Sequence, residues 1–86
     1  MRETEKILKA LANHRRLSIA KYLNKVGSAS VGEIAGEIKL SFKATSKHLG
    51  IMRAADILDR EQINLTMIYS LNKPLNPILK TTLSTL

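Results

Sequence analysis

Cysteine is absent from the 86 residues. That excludes disulfides, thiolate metal sites and cysteine nucleophiles. Aromatic residues make up only 3%, too few for the stacking platforms used by single-strand nucleic-acid binders. No apolar run approaches the ~20 residues needed to cross a bilayer. The opening Met1-Arg2-Glu3-Thr4-Glu5 has no apolar signal-peptide core, so the expected location is cytoplasmic. Asn64-Leu65-Thr66 matches a glycosylation acceptor, but without a secretory signal the match is chance. The chain carries no Gly-rich phosphate loop, no paired carboxylates on a credible pocket and no histidine with a nucleophile partner. Ser46 and His48, two apart on a helix, point in different directions. An enzymatic reading is rejected on these grounds.

Acid is scarce as well. Seven Asp and Glu face fourteen Lys and Arg, for a net charge of +7 and a pI near 10.1. This balance favours a polyanionic partner, against the plainer alternative of a merely basic protein. Hydrophobic residues reach 44%, so a compact core is within reach and disorder by composition is excluded. The length suits one small domain.

No carboxylate lies between Glu37 and Asp56, and the most informative stretch, Leu40 to Leu58, spans most of that interval. Ser41 is a good N-cap for a helix beginning there. Thr45, His48, Leu49 and Met52 recur at helical spacing and define a packed face. Lys43, Ser46, Lys47, Gly50 and Ala54 form the opposite face, which is slim and cationic. A helix of that kind fits a duplex major groove.

The segments before it are helical. Residues 2–12 carry an apolar stripe of Ile7, Leu8 and Leu11, with Glu3 and Glu5 favourably placed in the first turn. Asn13 ends this helix and caps the next, expected over His14–Val26, with Leu17, Ile19, Ala20, Leu23 and Val26 inward and Gly27 as C-terminal cap. Arg15 and Arg16, at its N-terminal end, are candidate phosphate contacts; Lys21 and Lys25 suit a solvated face. Ser28-Ala29 is a short connection. Ser30 and Glu33 form a capping box for a third helix reaching Lys39, with Val31, Ile34, Ala35 and Ile38 inward. Gly32 and Gly36 are costly there, by roughly 1 kcal/mol each, and close packing is one reason for them. Helix, tight turn at Lys39-Leu40, helix is the helix-turn-helix arrangement.

Beyond Ala55 the period changes. Ile57–Ile63 and Thr66–Leu71 suit two strands joined at Asn64-Leu65, a short wing whose charges largely cancel, with Arg60 between Asp59 and Glu61. Asn72 to Pro77 is a breaker-rich link. In the tail, Leu75, Ile78, Leu79, Leu83 and Leu86 fall on one helical face. That face either packs on a second copy, together with Ile7, or folds back on the chain's own first helix; dimerisation is preferred. The expected architecture is mostly α: a winged helix-turn-helix of four helices and a two-stranded wing over residues 1–73, then a dimerisation helix over 74–86.

This order resembles the ArsR/SmtB-type winged-helix repressors. Ala10-Leu11-Ala12-Asn13-His14-Arg15-Arg16-Leu17-Ser18-Ile19 is similar to the family's A-L-(A/G)-(D/N)-P-x-R-L-x-I opening. Ser30 to Ile38 resembles its S-V-x-E-(L/I)-A helix. Leu40-Ser41, Ser46-Lys47-His48-Leu49, Ile51-Met52-Arg53 and Ala55 resemble its recognition segment. The likeness runs to Asn72. Three departures stand out: His14 replaces the usual proline, Asp56 the usual glycine, and the wing lacks an Arg/Gly-rich tip. The family's metal sites have no counterpart. The third helix has no Cys pair and the terminal helix no His, Asp, Glu or Cys. His48 reads as structural, joining helix to helix; no metal or cofactor is expected.

The resemblance implies a homodimeric regulator on an inverted-repeat DNA operator, acting as a repressor. The candidate DNA contacts are Arg16, Ser41, Phe42, Lys43, Thr45, Ser46, Lys47, Arg53 and Arg60. Backbone amides of Ser41–Lys43, with Arg16 and Arg60, would hold phosphates. Lys43, Ser46 and Lys47 would reach base edges, and Phe42 a thymine methyl. The alternative is a winged-helix module that binds an acidic protein.

Overall fold

The computed structural model describes Met1–Leu86. Its elements are α1 (Arg2–Leu11), α2 (His14–Val26), β1 (Ser28–Ser30), α3 (Val31–Ile38), α4 (Phe42–Ala54), β2 (Leu58–Ile63), β3 (Thr66–Leu71) and α5 (Pro77–Leu83). The helices number five, the terminal one included. The sheet is antiparallel, three-stranded, in the order β1-β3-β2. Ser28-Ala29 is thus no simple connection: Ser28 pairs with Ser70, Ala29 with Tyr69 and Ser30 with Ile68.

Local chemistry explains the boundaries. Asn13 accepts from the Arg16 amide and starts α2. Ser30 and Glu33 close the capping box of α3, and Ser41 accepts from the Ala44 amide to start α4. Each satisfies an amide that the first helical turn leaves without a partner. Gly27, at φ 90°, ends α2 in a conformation that disfavours any Cβ. Lys39 and Asp56 end α3 and α4 at φ 55° and 59°. Asp tolerates the left-handed region better than most residues, so the loss of glycine after α4 is accommodated. Asn64 takes φ 58° in the hairpin turn. Asn76 accepts from the Ile78 amide, and Pro77 occupies the first turn of α5.

Ile19, Leu23, Ile34, Leu49, Met52, Ile57 and Leu79 form the fully buried centre. They come from α2, α3, α4, α5 and the lead into β2, so one core fixes α4 to everything else. Leu8 and Val26, expected inside, stand 52% and 44% exposed; Ala10 takes the inward position on α1. Gly32 and Gly36 face no close backbone: an added Cβ at Gly36 meets nothing within 4 Å, and at Gly32 only the Ser30 hydroxyl at 3.9 Å. Close packing does not account for them.

Candidate nucleic-acid interface

Successive α4 residues are separated by about 100° around the axis, and the helix divides into four faces. Thr45, Leu49 and Met52 are fully buried against the core. Directly opposite lie Lys43, Lys47 and Ala54, all exposed. No carboxylate shares this helix, so both ammonium groups project their charge outward. Phe42, Ser46, Gly50 and Arg53 form a third line, turned toward the β2–β3 hairpin across a cleft. His48 occupies the fourth, toward α2.

The hairpin charges do not cancel where it matters. Arg60 pairs with Tyr69 and lies on the same face of the sheet, lining the cleft with it. Asp59 and Glu61 alternate to the other face. The hairpin tip is apolar, with Leu65 96% exposed and Ile63 51%.

Two expected contacts are corrected by the structure. Thr45 has no accessible surface, and its hydroxyl has no partner; it cannot reach DNA. Arg16 is turned inward. Its Nε donates to the Ala10 carbonyl, one Nη to the Lys9 carbonyl at 3.4 Å and the other to His48 Nδ1 at 3.2 Å. Arg15 likewise donates to the Ile38 carbonyl at the end of α3. Adjacent arginines on the first turn of α2 therefore cap the carbonyl ends of α1 and α3, where the helix dipole favours a cation. Sequence reasoning missed this role because both contacts depend on distant segments. A helix ending at Leu11 and another ending at Ile38, on either side of paired arginines, is the only local signal.

His48 accepts from Arg16 and so is neutral, with its proton on Nε2. Burial holds its pKa below the ordinary 6.5, helped by the charges of Arg16, Lys47 and Arg15. Glu33 is held below the usual carboxylate range by its hydrogen bonds from the Ser30 backbone amide and hydroxyl. No group of three or more His, Asp or Glu is gathered as a metal site would need. The remaining DNA candidates are accessible: Ser41, Phe42, Lys43, Lys47, Arg53 and Arg60 are exposed and Ser46 is half-buried. Phe42 is 64% exposed, and Ser41 already uses its hydroxyl as the cap.

The tail residues divide. Ile7 and Leu79 are buried in the chain's own core, 7% and 1% exposed, and offer little surface to a second copy. Leu75, Ile78 and Leu83 are half-buried, and Leu86 is exposed. Leu75 and Leu86 lie outside α5, which is shorter than the tail pattern implied. No helix is long and apolar enough to cross a membrane.

Comparison with known proteins adds a separate line. The sequence profile of the family described as "Bacterial regulatory protein, arsR family" matches residues 13–60. The HTH-type transcriptional regulator YgaV of Escherichia coli is 34% identical over 76 residues, spanning 87% of this chain and 77% of YgaV. The transcriptional activator HlyU of Vibrio cholerae is 36% identical over 66 residues, 77% of this chain but 60% of HlyU. The crystal structure of the transcriptional repressor PagR of Bacillus anthracis superposes with a TM-score of 0.82 at 30% identity, covering 98% of this chain and 92% of PagR.

Proposed function

The chain belongs to the arsR family of bacterial regulatory proteins, and on that premise we propose that it is a homodimeric repressor that reads an inverted-repeat duplex DNA operator through α4. The observation that carries this reading is the division of α4 itself. One face is sealed into the core, and the face directly opposite presents Lys43 and Lys47 with no acid on the helix. That geometry leaves a rigid cationic ridge free to enter a major groove.

Lys43, Ser46 and Lys47 face the base edges in this reading, Phe42 a thymine methyl, and Ser41, Arg53 and Arg60 the flanking phosphates. Residues 74–86 serve the dimer. α5 packs beside α1, and the exposed Leu8 and Leu86 with the half-buried Leu75, Ile78 and Leu83 supply the apolar surface. Two α4 helices then meet successive major grooves about one helical turn apart. Repression needs only occupancy of promoter DNA. HlyU is called an activator and PagR a repressor, so the sign is tested on this chain by a reporter driven from its own operator.

The test is selection of duplexes from a random pool near physiological salt. An enriched inverted repeat is expected. A single enriched half-site removes the dimer. No enrichment, with binding that disappears as salt rises, removes specific DNA reading and favours an acidic protein partner. On the selected site, Lys43→Ala should weaken binding by roughly 1–3 kcal/mol and relax one position if it reads a base. A uniform loss across sequences, with a smaller salt slope, makes it a phosphate contact.

A further inference from the structure

The cleft between α4 and the hairpin has a volume of about 550 Å³, within the range of pockets that hold small organic ligands. Its lining is unusual for a surface that meets only DNA. Phe42 from α4, Val31 from α3, and Leu65, Met67 and Tyr69 from the hairpin make much of its wall. Phosphates and sugars gain little from such side chains. Two cations, Arg53 from α4 and Arg60 from β2, also line the cleft, and no Asp or Glu does. Their guanidinium groups make none of the side-chain hydrogen bonds that occupy Arg15 and Arg16. The cleft is open at Gly50, where a Cβ would meet nothing within 4 Å.

We propose that this cleft binds a small aromatic carboxylate, and that a bound carboxylate excludes DNA. The charge pattern selects the class. Two unpaired guanidinium groups with no opposing acid favour an anion, and Arg matches a planar carboxylate through paired N–H donors. The apolar walls favour a flat hydrocarbon body and disfavour a sugar phosphate or a simple inorganic ion. Cations are repelled. The cleft shares Phe42, Ser46, Arg53 and Arg60 with the proposed DNA contacts, so ligand and duplex compete for the same groups. The ligand site stands on its own geometry; the exclusion of DNA rests on the proposed DNA reading.

The two halves are measured separately. Isotope-labelled wild-type protein is titrated with 2-naphthoate in the absence of DNA, and in parallel with neutral 2-naphthamide. Saturable shifts at the Gly32, Gly50, Leu65 and Tyr69 amides are expected for the carboxylate, with binding at least about tenfold tighter than for the amide. Arg53→Gln with Arg60→Gln should remove that preference. Gly50→Leu should obstruct the cleft and weaken naphthoate by about tenfold or more; a melting temperature at or above that of the wild type, as expected when a helical glycine is replaced, would show that the fold is kept. No saturable shift at millimolar naphthoate, equal binding of acid and amide, or undiminished binding by the double arginine variant overturns the ligand site. Naphthoate is then added to the complex with the selected duplex. A rise in apparent Kd that tracks occupancy is expected. A protein that holds naphthoate and DNA together overturns the exclusion. A protein that binds naphthoate but no duplex sequence preferentially overturns the DNA reading and leaves the ligand site standing.

Discussion

Replacing Arg16 with alanine distinguishes a structural clamp from a phosphate contact. The guanidinium makes three hydrogen bonds of unequal worth. The bond to the Ala10 carbonyl is partly buried and has a charged donor, worth about 1.5–2 kcal/mol net. The one to His48 Nδ1, at 3.2 Å between α2 and α4, contributes about 1 kcal/mol. The exposed 3.4 Å contact to the Lys9 carbonyl contributes almost nothing. The expected loss for Arg16→Ala is therefore about 3 kcal/mol, a large share of the roughly 4–13 kcal/mol typical of a domain this size. Urea unfolding should show it as a lower midpoint with an unchanged slope, and melting should fall by roughly 12–24 °C. Arg16→Lys keeps the charge but cannot bridge two helices at once, so it should recover less than half. If Arg16 instead served DNA phosphates, both variants would keep wild-type stability and the lysine variant would bind DNA nearly as well. A stability change below about 0.5 kcal/mol for Arg16→Ala refutes the clamp.

Thr45→Val should leave DNA affinity unchanged and raise stability by about 1 kcal/mol, because the threonine hydroxyl is buried without a partner; a destabilised variant in urea unfolding counts against this. The pH dependence follows from His48, whose folded pKa lies below its ordinary 6.5. Between those two values the unfolded chain binds the extra proton, so stability rises with pH there. It should be full above about 6.5, fall as pH drops from there through the lowered folded pKa, and then level off. Protonation turns Nδ1 into a donor facing the Arg16 donor, and His48→Gln should flatten this part of the curve in urea titrations at stepped pH.

Features set within a few residues could be read directly. Asn13, Ser30, Ser41 and Gly27 mark helix ends because capping chemistry is local, and the structure uses each as expected. The buried face of α4 follows from its own spacing. What depends on distant pairing was hidden. Ser28-Ala29-Ser30 is only three residues long and lacks β-branched or aromatic side chains to signal a strand, and it becomes one only by lying against β3. Arg15 and Arg16 differ little from any solvated basic pair until the ends of α1 and α3 come within reach. Ile7 and Leu8 are equally apolar neighbours, and tertiary packing alone decides that Ile7 goes inside. The tail's apolar pattern suited either an internal or an intermolecular partner. The fold takes Leu79 for its own core and leaves Leu86 outside.

The net charge of +7 understates what the α4 ridge presents, because the seven acids are placed away from it. Glu3 and Glu5 sit in the first turn of α1, where the dipole accepts them. Glu33 is tied into the α3 capping box, and Glu37 faces the α2–α3 groove among lysines. Asp56 lies beyond the end of α4. The Asp59 carboxylate accepts from the Arg60 amide, and strand alternation turns both Asp59 and Glu61 away from the cleft that Arg60 lines. Two of the basic residues, Arg15 and Arg16, are likewise withdrawn into helix capping. Eight of the other basic residues lie exposed elsewhere on the molecule, while Lys43, Lys47 and Arg53 of α4, with Arg60 across the cleft, stand with no acid on that helix or in the cleft lining. Interactions between exposed charges fade over about 8–10 Å at physiological salt, so a polyanion responds to this local group more than to the total. A single acid introduced at Gly50 or Ala54 would therefore weaken the surface far more than one added on α1, although each changes the net charge equally.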